Sequence, residues 1–219
     1  MQAREIFDGV FKVNGKMATV NMAKGEKVYG EDLVTDDGTE YRLWNPYRSK
    51  LAAAILKGMR HMEIKKGTKV LYLGAATGTT SSHVSDIVSE EGQVYCIEIS
   101  ERSMRDLVRV CEKRDNMFPI LEDARNAERY ASEIETPDVL YQDIAARDQA
   151  QILLLNAKML RKGSYAYVAI KSQSISVSKN PKQVYKEFLK SISVSFEVIE
   201  SMDLAPFDRM HLFAVLKKR

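Results

Sequence analysis

From residue 68 to the end of the chain, short apolar runs alternate with segments of helical periodicity. The strand-like runs are TKVLYLG, QVYCIEIS, MFPILEDA, DVLYQDI and SYAYVAIKS. Strands joined by helical crossovers predict a mostly parallel sheet with helices on both faces. The last two apolar runs, FEVIESMDL and MHLFAVLKK, lie too close together for a crossover. We therefore predict that they form an antiparallel hairpin at one edge of the sheet.

Residues 1–43 follow a different pattern. Short apolar or alternating runs are separated by glycines at hairpin-like spacing, which indicates a small antiparallel β unit. The pattern changes near Asn45 and Pro46, where RSKLAAAILKGMRHM takes up helical spacing. We therefore predict two domains, a small N-terminal β domain over residues 1–45 and an α/β domain over residues 46–219.

Composition argues against several classes of protein. No apolar run reaches the ~18 residues of a membrane span, and the N-terminus lacks the basic-then-apolar order of a secretory signal. We therefore expect no membrane partner and a cytoplasmic location. The two cysteines, Cys96 and Cys111, have no second ligand at metal spacing, so we expect reduced thiols and no metal site.

The net charge of +3 is distributed unevenly along the chain. Residues 151–219 carry twelve basic and five acidic side chains, a balance of +7, which leaves −4 for the remainder. A basic third on a near-neutral protein favours one face that meets an anionic polymer. A solvated helix face accounts for the same charge, and composition alone leaves both interpretations open.

The first strand of the alternating region runs directly into a cluster of very small residues, GAATGTT at 74–80. Small side chains let a ligand approach the backbone, and free N–H groups at a helix start attract a carboxylate or phosphate. We expect the following helix to begin near Thr80, with Ser81 or Ser82 as its N-cap. The spacing Gly74-x-x-x-Gly78 is not the G-x-G-x-x-G of dinucleotide binders, which argues against a dehydrogenase.

Acidic residues follow the next three strands where each of them ends. Glu98 closes QVYCIEIS, Asp123 follows MFPIL, and Asp143 follows DVLYQ. A carboxylate after the second strand can accept hydrogen bonds from ribose hydroxyls, and Asp123 can contact an adenine amino group. Each acid alone is more typical of a helix cap or a solvated loop. Together, without a lysine in the glycine loop, they favour a cationic adenosine ligand, and S-adenosylmethionine (SAM) has that charge.

These residues lie in longer stretches that resemble a known family. YRLWNPYRSKLAAAI, VLYLGAATGTTSSHVSDIV, EDARN and VAIKSQS resemble fibrillarin, the SAM-dependent RNA 2′-O-methyltransferase of box C/D ribonucleoproteins. The resemblance covers nearly the whole chain. Fibrillarins of nucleated cells carry a Gly/Arg-rich N-terminal tail that is missing from this sequence, so it resembles the shorter archaeal-type rRNA/tRNA methyltransferase. The family implies a Rossmann-like, seven-stranded methyltransferase domain behind a small β domain.

The resemblance also implies where SAM and the reacting groups lie. The cofactor-binding residues that we expect are Gly74, Ala75, Thr79, Thr80, Glu98, Ile99, Asp123, Ala124, Asp143, Ile144, Ala145 and Ala146. A Lys-Asp-Lys-His constellation matches Lys50, Asp143, Lys171 and His211. The loop after Asp143 departs from the family pattern, because Asp-Ile-Ala-Ala stands where Asp-Val-Ala-Gln is usual. The departure bears on a side-chain role for Ala146 and leaves backbone contacts there unaffected.

Methyl transfer to a ribose needs alignment of the reacting atoms and some activation of a hydroxyl whose pKa lies far above neutral. Lys171 is the best candidate on its own merits, because it ends an apolar strand at the edge where this fold places chemistry. Asp143 can pair with it. Lys50 beside Arg48 is more typical of a solvated helix start, and a lone His211 is more typical of a structural hydrogen bond.

By resemblance, the partners are a Nop5/Nop56/58-type scaffold, an L7Ae-type kink-turn binder, the box C/D guide RNA and the target RNA. Cations for RNA contact are expected near the site, with SQSISVSKNPK as a mobile polar loop beside it. Those cations are Arg48, Lys50, Lys171, Lys179 and Lys182. Two alternatives remain, a SAM methyltransferase with another acceptor and a non-catalytic ribonucleoprotein subunit that keeps the fold.

Overall fold

The computed structural model describes residues 3–219, and its N-terminal part is an antiparallel sheet. The strands are β1 (Arg4–Phe7), β2 (Val10–Val13), β3 (Lys16–Val20), β4 (Leu33–Asp36) and β5 (Thr39–Leu43). They are ordered β1-β2-β3-β5-β4, and all four neighbouring pairs run antiparallel. The small antiparallel unit expected from the glycine spacing is confirmed.

A second, seven-stranded sheet forms the body of the molecule. Its strands are β6 (Lys69–Leu73), β7 (Gln93–Glu98), β8 (Met117–Leu121), β9 (Val139–Gln142), β10 (Tyr165–Lys171), β11 (Phe196–Asp203) and β12 (His211–Lys218). The order is β11-β12-β10-β9-β6-β7-β8, with β6 to β10 parallel and β12 antiparallel to both of its neighbours. The predicted Rossmann-like sheet with an antiparallel pair at one edge is confirmed.

Helices cover both faces of this sheet, and a separate hydrophobic core lies beneath the helices on each face. They are α1 (Lys50–Leu56), α2 (Thr79–Val88), α3 (Glu101–Cys111), α4 (Ala127–Tyr130), α5 (Gln149–Asn156), α6 (Ser172–Ile175) and α7 (Pro181–Ile192). One of the two cores also takes in Val10, Met17 and Trp44 from the N-terminal part of the chain. Within residues 3–219, no helix has both the length and the apolar character needed to cross a bilayer.

Two local predictions were wrong. The N-cap of α2 is Gly78, at φ +92°, while Ser81 and Ser82 are fully buried inside the helix. A glycine is used there because the left-handed backbone carries no Cβ penalty for it, and Ser82 Oγ instead accepts a hydrogen bond from Arg42 at 3.0 Å. The segment expected as a polar loop after β10 begins with the helical turn α6.

A buried ionic network joins the N-terminal sheet to α2. Asp86, on α2, pairs with Arg42 of β5 at 2.8 Å and with Arg114, and all three side chains are at most 1% exposed. Thr19 of β3 donates its hydroxyl to the same carboxylate at 2.7 Å, and Glu31 provides a second carboxylate for Arg42. Two buried carboxylates thus face the two buried guanidinium groups. The network fixes the small sheet against the helix that begins at the glycine-rich loop.

We expect Asp86→Ala to lower the free energy of unfolding by roughly 3–5 kcal/mol, because it leaves the buried Arg114 without its carboxylate partner and Arg42 with Glu31 alone. The measurement is urea unfolding followed by circular dichroism. Lys66→Ala is the control, since this lysine makes a solvent-exposed ion pair with Glu91 and should change the stability by no more than about 1 kcal/mol. Equal losses in the two variants would contradict the importance of the buried network.

Candidate active site at the strand ends

The loops after β6 and β9 approach each other closely at the carboxyl edge of the larger sheet. Gly74 follows β6 with φ +80°, and a Cβ added there would lie 2.8 Å from the backbone oxygen of Asp143. The amide of Asp143 in turn donates to the carbonyl of Leu73 at 3.0 Å. Glycine is therefore required at position 74 for the two loops to meet, which explains why the strand ends in the smallest residue.

The carboxylate of Glu98 closes the neighbouring side of this edge. Glu98 is the last residue of β7 and is only 8% exposed. Its two oxygens accept hydrogen bonds from the amides of Ala76 and Ser100, each at 2.8 Å. Because a carboxylate has about four acceptor positions, two of them stay available to a ligand. Glu98 thus both holds the glycine-rich loop and presents a fixed negative charge.

A cavity of about 280 Å³ lies between these loops. Its lining includes ten of the residues predicted from sequence, namely Gly74, Glu98, Ile99, Asp123, Ala124, Asp143, Ile144, Ala145, Ala146 and Lys171. Carboxylates from the ends of three strands, β7, β8 and β9, therefore meet in one cavity. Its walls also carry apolar side chains such as Ile97 and Ile152, which suit the flat faces of an aromatic ring.

The carboxylate of Asp123 forms an ion pair with Arg125. Arg125 approaches Asp123 at 3.1 Å and Asp148 at 2.7 Å, so one guanidinium bridges two carboxylates on the cavity rim. The hydrogen bond from Arg125 is the main reason why the pKa of Asp148 is lowered. The side chains of this rim are between 28% and 45% exposed, so the bridge orders the loop without sealing it.

Three of the predicted cofactor-binding residues lie outside the lining of this cavity. Ala75 is nearly buried, Thr79 begins α2, and Thr80 donates its hydroxyl to Ser49 Oγ at 3.0 Å. Ser49 is the N-cap of α1, so this contact ties the start of α1 to the start of α2. Thr80 therefore connects the start of α2, which follows the glycine-rich loop, to the helix that carries Lys50.

Two lysines converge on Asp143. Lys171 Nζ lies 2.7 Å from Asp143 Oδ1 and also donates to the backbone oxygen of Asp143 at 2.9 Å. Lys50 Nζ lies 3.0 Å from Asp143 Oδ2. The three side chains are between 14% and 19% exposed, so the cluster is largely screened from solvent yet open at one side. It adjoins the cavity, because both Asp143 and Lys171 line it.

Lys50 stays positively charged in this setting. Burial alone would lower its pKa, but the charges of Asp143 and Asp208 and the hydrogen bonds to them outweigh burial, and the net effect raises the pKa of Lys50. An ammonium group is therefore held against Asp143, one of the residues that line the acidic cavity.

His211, the last member of the predicted Lys-Asp-Lys-His constellation, is brought to the same edge of the sheet by strand pairing. His211 opens β12 and is the register partner of Lys171 at the end of β10. Its Nδ1 lies 2.8 Å from Asp208 Oδ1, and Asp208 Oδ2 lies 3.5 Å from Lys50 Nζ. Asp208 thus links His211 to the lysine–aspartate cluster. Sequence reasoning missed Asp208, and the one signal for it was an acid three residues before a histidine.

A cavity of about 540 Å³ lies away from the strand ends, between the N-terminal sheet and the segment that precedes α1. Tyr29, Trp44 and Arg48 line it, but none of the carboxylates at the strand ends does. Cavity size alone would therefore select a different place from the one where acids, lysines and histidine converge.

The fold and this site together define a Rossmann-like enzyme class that holds its ligand at the carboxyl edge of a parallel sheet. The sequence profile of the fibrillarin family matches residues 1–219. The fibrillarin-like rRNA/tRNA 2′-O-methyltransferase of Thermococcus onnurineus is 50% identical over 204 residues, which is 93% of this chain and 90% of the relative. The chain belongs to the fibrillarin family.

Two solved structures are also similar over almost their whole length. One is Aeropyrum pernix fibrillarin in complex with natively bound S-adenosyl-L-methionine, with a TM-score of 0.90, 43% identity and coverage of 99% of this chain and 98% of that one. The other is the fibrillarin/Nop5p complex, with a TM-score of 0.90, 36% identity and coverage of 99% and 100%.

We expect Gly74→Ala to destabilise the protein more than Gly67→Ala. Both glycines have φ +80°, but a Cβ at position 67 has no neighbour within 4 Å, so backbone strain is matched and only the clash with Asp143 differs. The free energy of unfolding from urea titration should fall by about 1–3 kcal/mol more for Gly74→Ala than for Gly67→Ala. Equal losses would mean that the loops do not need to meet.

Proposed function

We propose that this chain is the catalytic subunit of a box C/D-type ribonucleoprotein. It transfers a methyl group from SAM to the ribose 2′-hydroxyl of guide-selected nucleotides in rRNA and tRNA. The observation that carries the proposal is the cluster of Lys50, Asp143 and Lys171, two members of which line an acidic cavity. The names of the relatives and the SAM complex of a fibrillarin support it.

The residues at the strand ends fit SAM in charge and in shape. Glu98, Asp123 and Asp143 oppose a ligand that carries a sulfonium and an ammonium. Gly74 lets the loops after β6 and β9 meet, so that both loops line the cavity that would receive the ligand. We assign the two free acceptor positions of Glu98 to the ribose diol, and Asp123 to the adenine amino group.

When bound, SAM supplies an electrophilic methyl group, so the protein needs only to align the acceptor and help it lose its proton. Lys171 is fixed by two contacts to Asp143, one to the side chain and one to the backbone. A lysine held in this way can donate a hydrogen bond to the ribose oxygen and stabilise its developing negative charge. Asp143 forms ion pairs with both Lys171 and Lys50. Each opposite charge lowers the free-energy cost of keeping its partner out of water.

We infer that RNA lies across the same edge. Arg48 is placed over the ring of Tyr29, 5.9 Å from its centroid, two residues before Lys50. Lys182 is exposed at the start of α7, while Lys179 is partly neutralised by Glu187 at 2.6 Å. We further propose a Nop5-type scaffold as partner, supported by the fibrillarin/Nop5p complex of a relative. The L7Ae-type kink-turn binder and the box C/D guide RNA rest on family membership alone.

We also propose the division into a β domain at residues 1–45 and a methyltransferase domain at residues 46–219. It is supported by sheet membership, because β1 to β5 all fall before residue 44 and every strand of the larger sheet falls after residue 68.

We expect the purified chain to bind SAM and Glu98→Gln to weaken that binding about tenfold or more, since one charge-assisted acceptor is worth roughly 1.5–3 kcal/mol. Isothermal titration calorimetry measures both. Glu101→Gln is the matched control, because Glu101 is exposed in the first turn of α3 and should leave the affinity unchanged. A wild-type chain without affinity for SAM would reject the proposal.

We expect Asp143→Ala and Lys171→Ala to lower kcat by roughly 10²–10⁴-fold while scaffold binding is kept. The assay transfers labelled methyl groups from SAM to a guide-matched RNA in the reconstituted particle. An RNA with 2′-deoxyribose at the target position should accept none.

The outcomes of this assay separate the candidate functions. Assembly without methyl incorporation by the wild-type chain would favour a non-catalytic subunit. Methylation of the 2′-deoxy RNA would favour another acceptor atom.

A further inference from the structure

Asp208 touches two members of the Lys-Asp-Lys-His set. It lies in the connection between β11 and β12, and its two oxygens are used separately. Oδ1 is 2.8 Å from Nδ1 of His211, and Oδ2 is 3.5 Å from Nζ of Lys50. Among the described residues, these are the hydrogen bonds and ion pairs of the Asp208 carboxylate.

The surroundings of His211 determine which ring nitrogen carries the proton. Nδ1 lies 2.8 Å from Asp208 Oδ1 and also 2.8 Å from the backbone oxygen of Arg209. A carboxylate and a carbonyl can only accept hydrogen bonds, so Nδ1 must donate. In the neutral imidazole, Nε2 is then left without a proton and has a free lone pair.

The position of Asp208 is not explained by the loop itself. At the end of β11, Asp203 makes the local contact with this connection, because its Oδ1 accepts a hydrogen bond from the amide of Ala205 at 2.8 Å. The Asp208 side chain is 32% exposed, so it also fills no core position. An acid that is neither a cap nor a packing residue, yet lies between Lys50 and His211, has its partners in the site.

We propose that Asp208 is a positioning residue for methyl transfer: it fixes His211 with a proton on Nδ1, so that Nε2 receives the proton of the ribose hydroxyl. The inference rests on the function proposed above. In the step, the hydroxyl proton moves to Nε2, the oxygen bonds to the methyl carbon, and the electron pair of the broken carbon–sulfur bond stays on sulfur. The positive charge that leaves sulfur appears on the imidazolium, where the Asp208 carboxylate faces it.

Asp208 has a second role, which is to hold the ammonium group of Lys50. The ammonium is held by Asp143 at 3.0 Å and by Asp208 at 3.5 Å, from two different loops. Replacing Asp208 by a neutral residue removes one of these two anchors, while Lys171 keeps its own contacts with Asp143. Asp208 therefore acts on the reaction through His211 and Lys50 and not by touching the donor or the acceptor.

The first test measures the tautomer of His211 directly. Two-dimensional ¹⁵N–¹H NMR on the full chain without SAM, at a pH above 8, distinguishes protonated from unprotonated ring nitrogens, and His211→Gln assigns the signals. We expect Nδ1–H in the wild type and in Asp203→Asn, and a mixture of tautomers in Asp208→Asn, since an amide can donate to Nδ1. An Nε2–H tautomer in the wild type, or no change in Asp208→Asn, would overturn the proposal.

The second test measures turnover in the reconstituted particle. Asp208→Asn should lower kcat roughly 10- to 100-fold, a part of what general base catalysis contributes, with the KM for SAM nearly unchanged. Asp203→Asn is the matched control and should retain kcat. In a His211→Gln background, Asp208→Asn should cost much less, because the residue it positions is gone. Equal losses in both backgrounds would show that Asp208 does not act through His211.

The same assay separates this inference from the function on which it rests. A wild-type particle that transfers no methyl group would reject the proposed function. A wild-type particle that is active, together with an equally active Asp208→Asn variant, would reject only the role of Asp208.

Discussion

The structure depends on the buried carboxylate of Asp86. Two arginines from distant parts of the chain, Arg42 and Arg114, converge on it, and Thr19 adds a hydrogen bond from the small sheet. A single side chain on α2 therefore joins the N-terminal sheet to the helix whose first turn follows the glycine-rich loop. His83 belongs to the same contact region: burial, followed by the nearby arginine charges, holds its pKa well below the usual range. The small sheet is thus part of the support for the site.

The site itself is built from opposed charges that are only partly exposed to water. Three strand-end acids face a cavity, and two ammonium groups are held on one of those acids, Asp143. In the proposed function, the acids attract the cationic methyl donor and the lysines lie beside the acceptor oxygen. Since both sets of charges share Asp143, the proposed donor site and the proposed acceptor site are joined through one residue.

Much of this arrangement could be predicted from the sequence, because period and spacing follow from local rules. The parallel sheet, the antiparallel edge pair and the acids at the strand ends all came from patterns of that kind. Asp208 could not be found in this way, because its contact with Lys50 depends on where β12 enters the sheet. The N-cap at Gly78 was missed because Ser82 is buried and accepts a hydrogen bond from Arg42 of the N-terminal sheet. This contact is made between distant parts of the chain, so the local sequence around α2 does not predict it.

The position of β12 between β10 and β11 has a further consequence for evolution of the chain. Because β12 runs against the other strands, its first residue reaches the edge where the parallel strands end, and His211 faces Lys171 there. A side chain alternates from face to face along a strand, so a slip of one residue would send the imidazole to the opposite surface of the sheet. Insertions and deletions should therefore be rarer in the 204–210 turn than in other surface turns of homologous proteins.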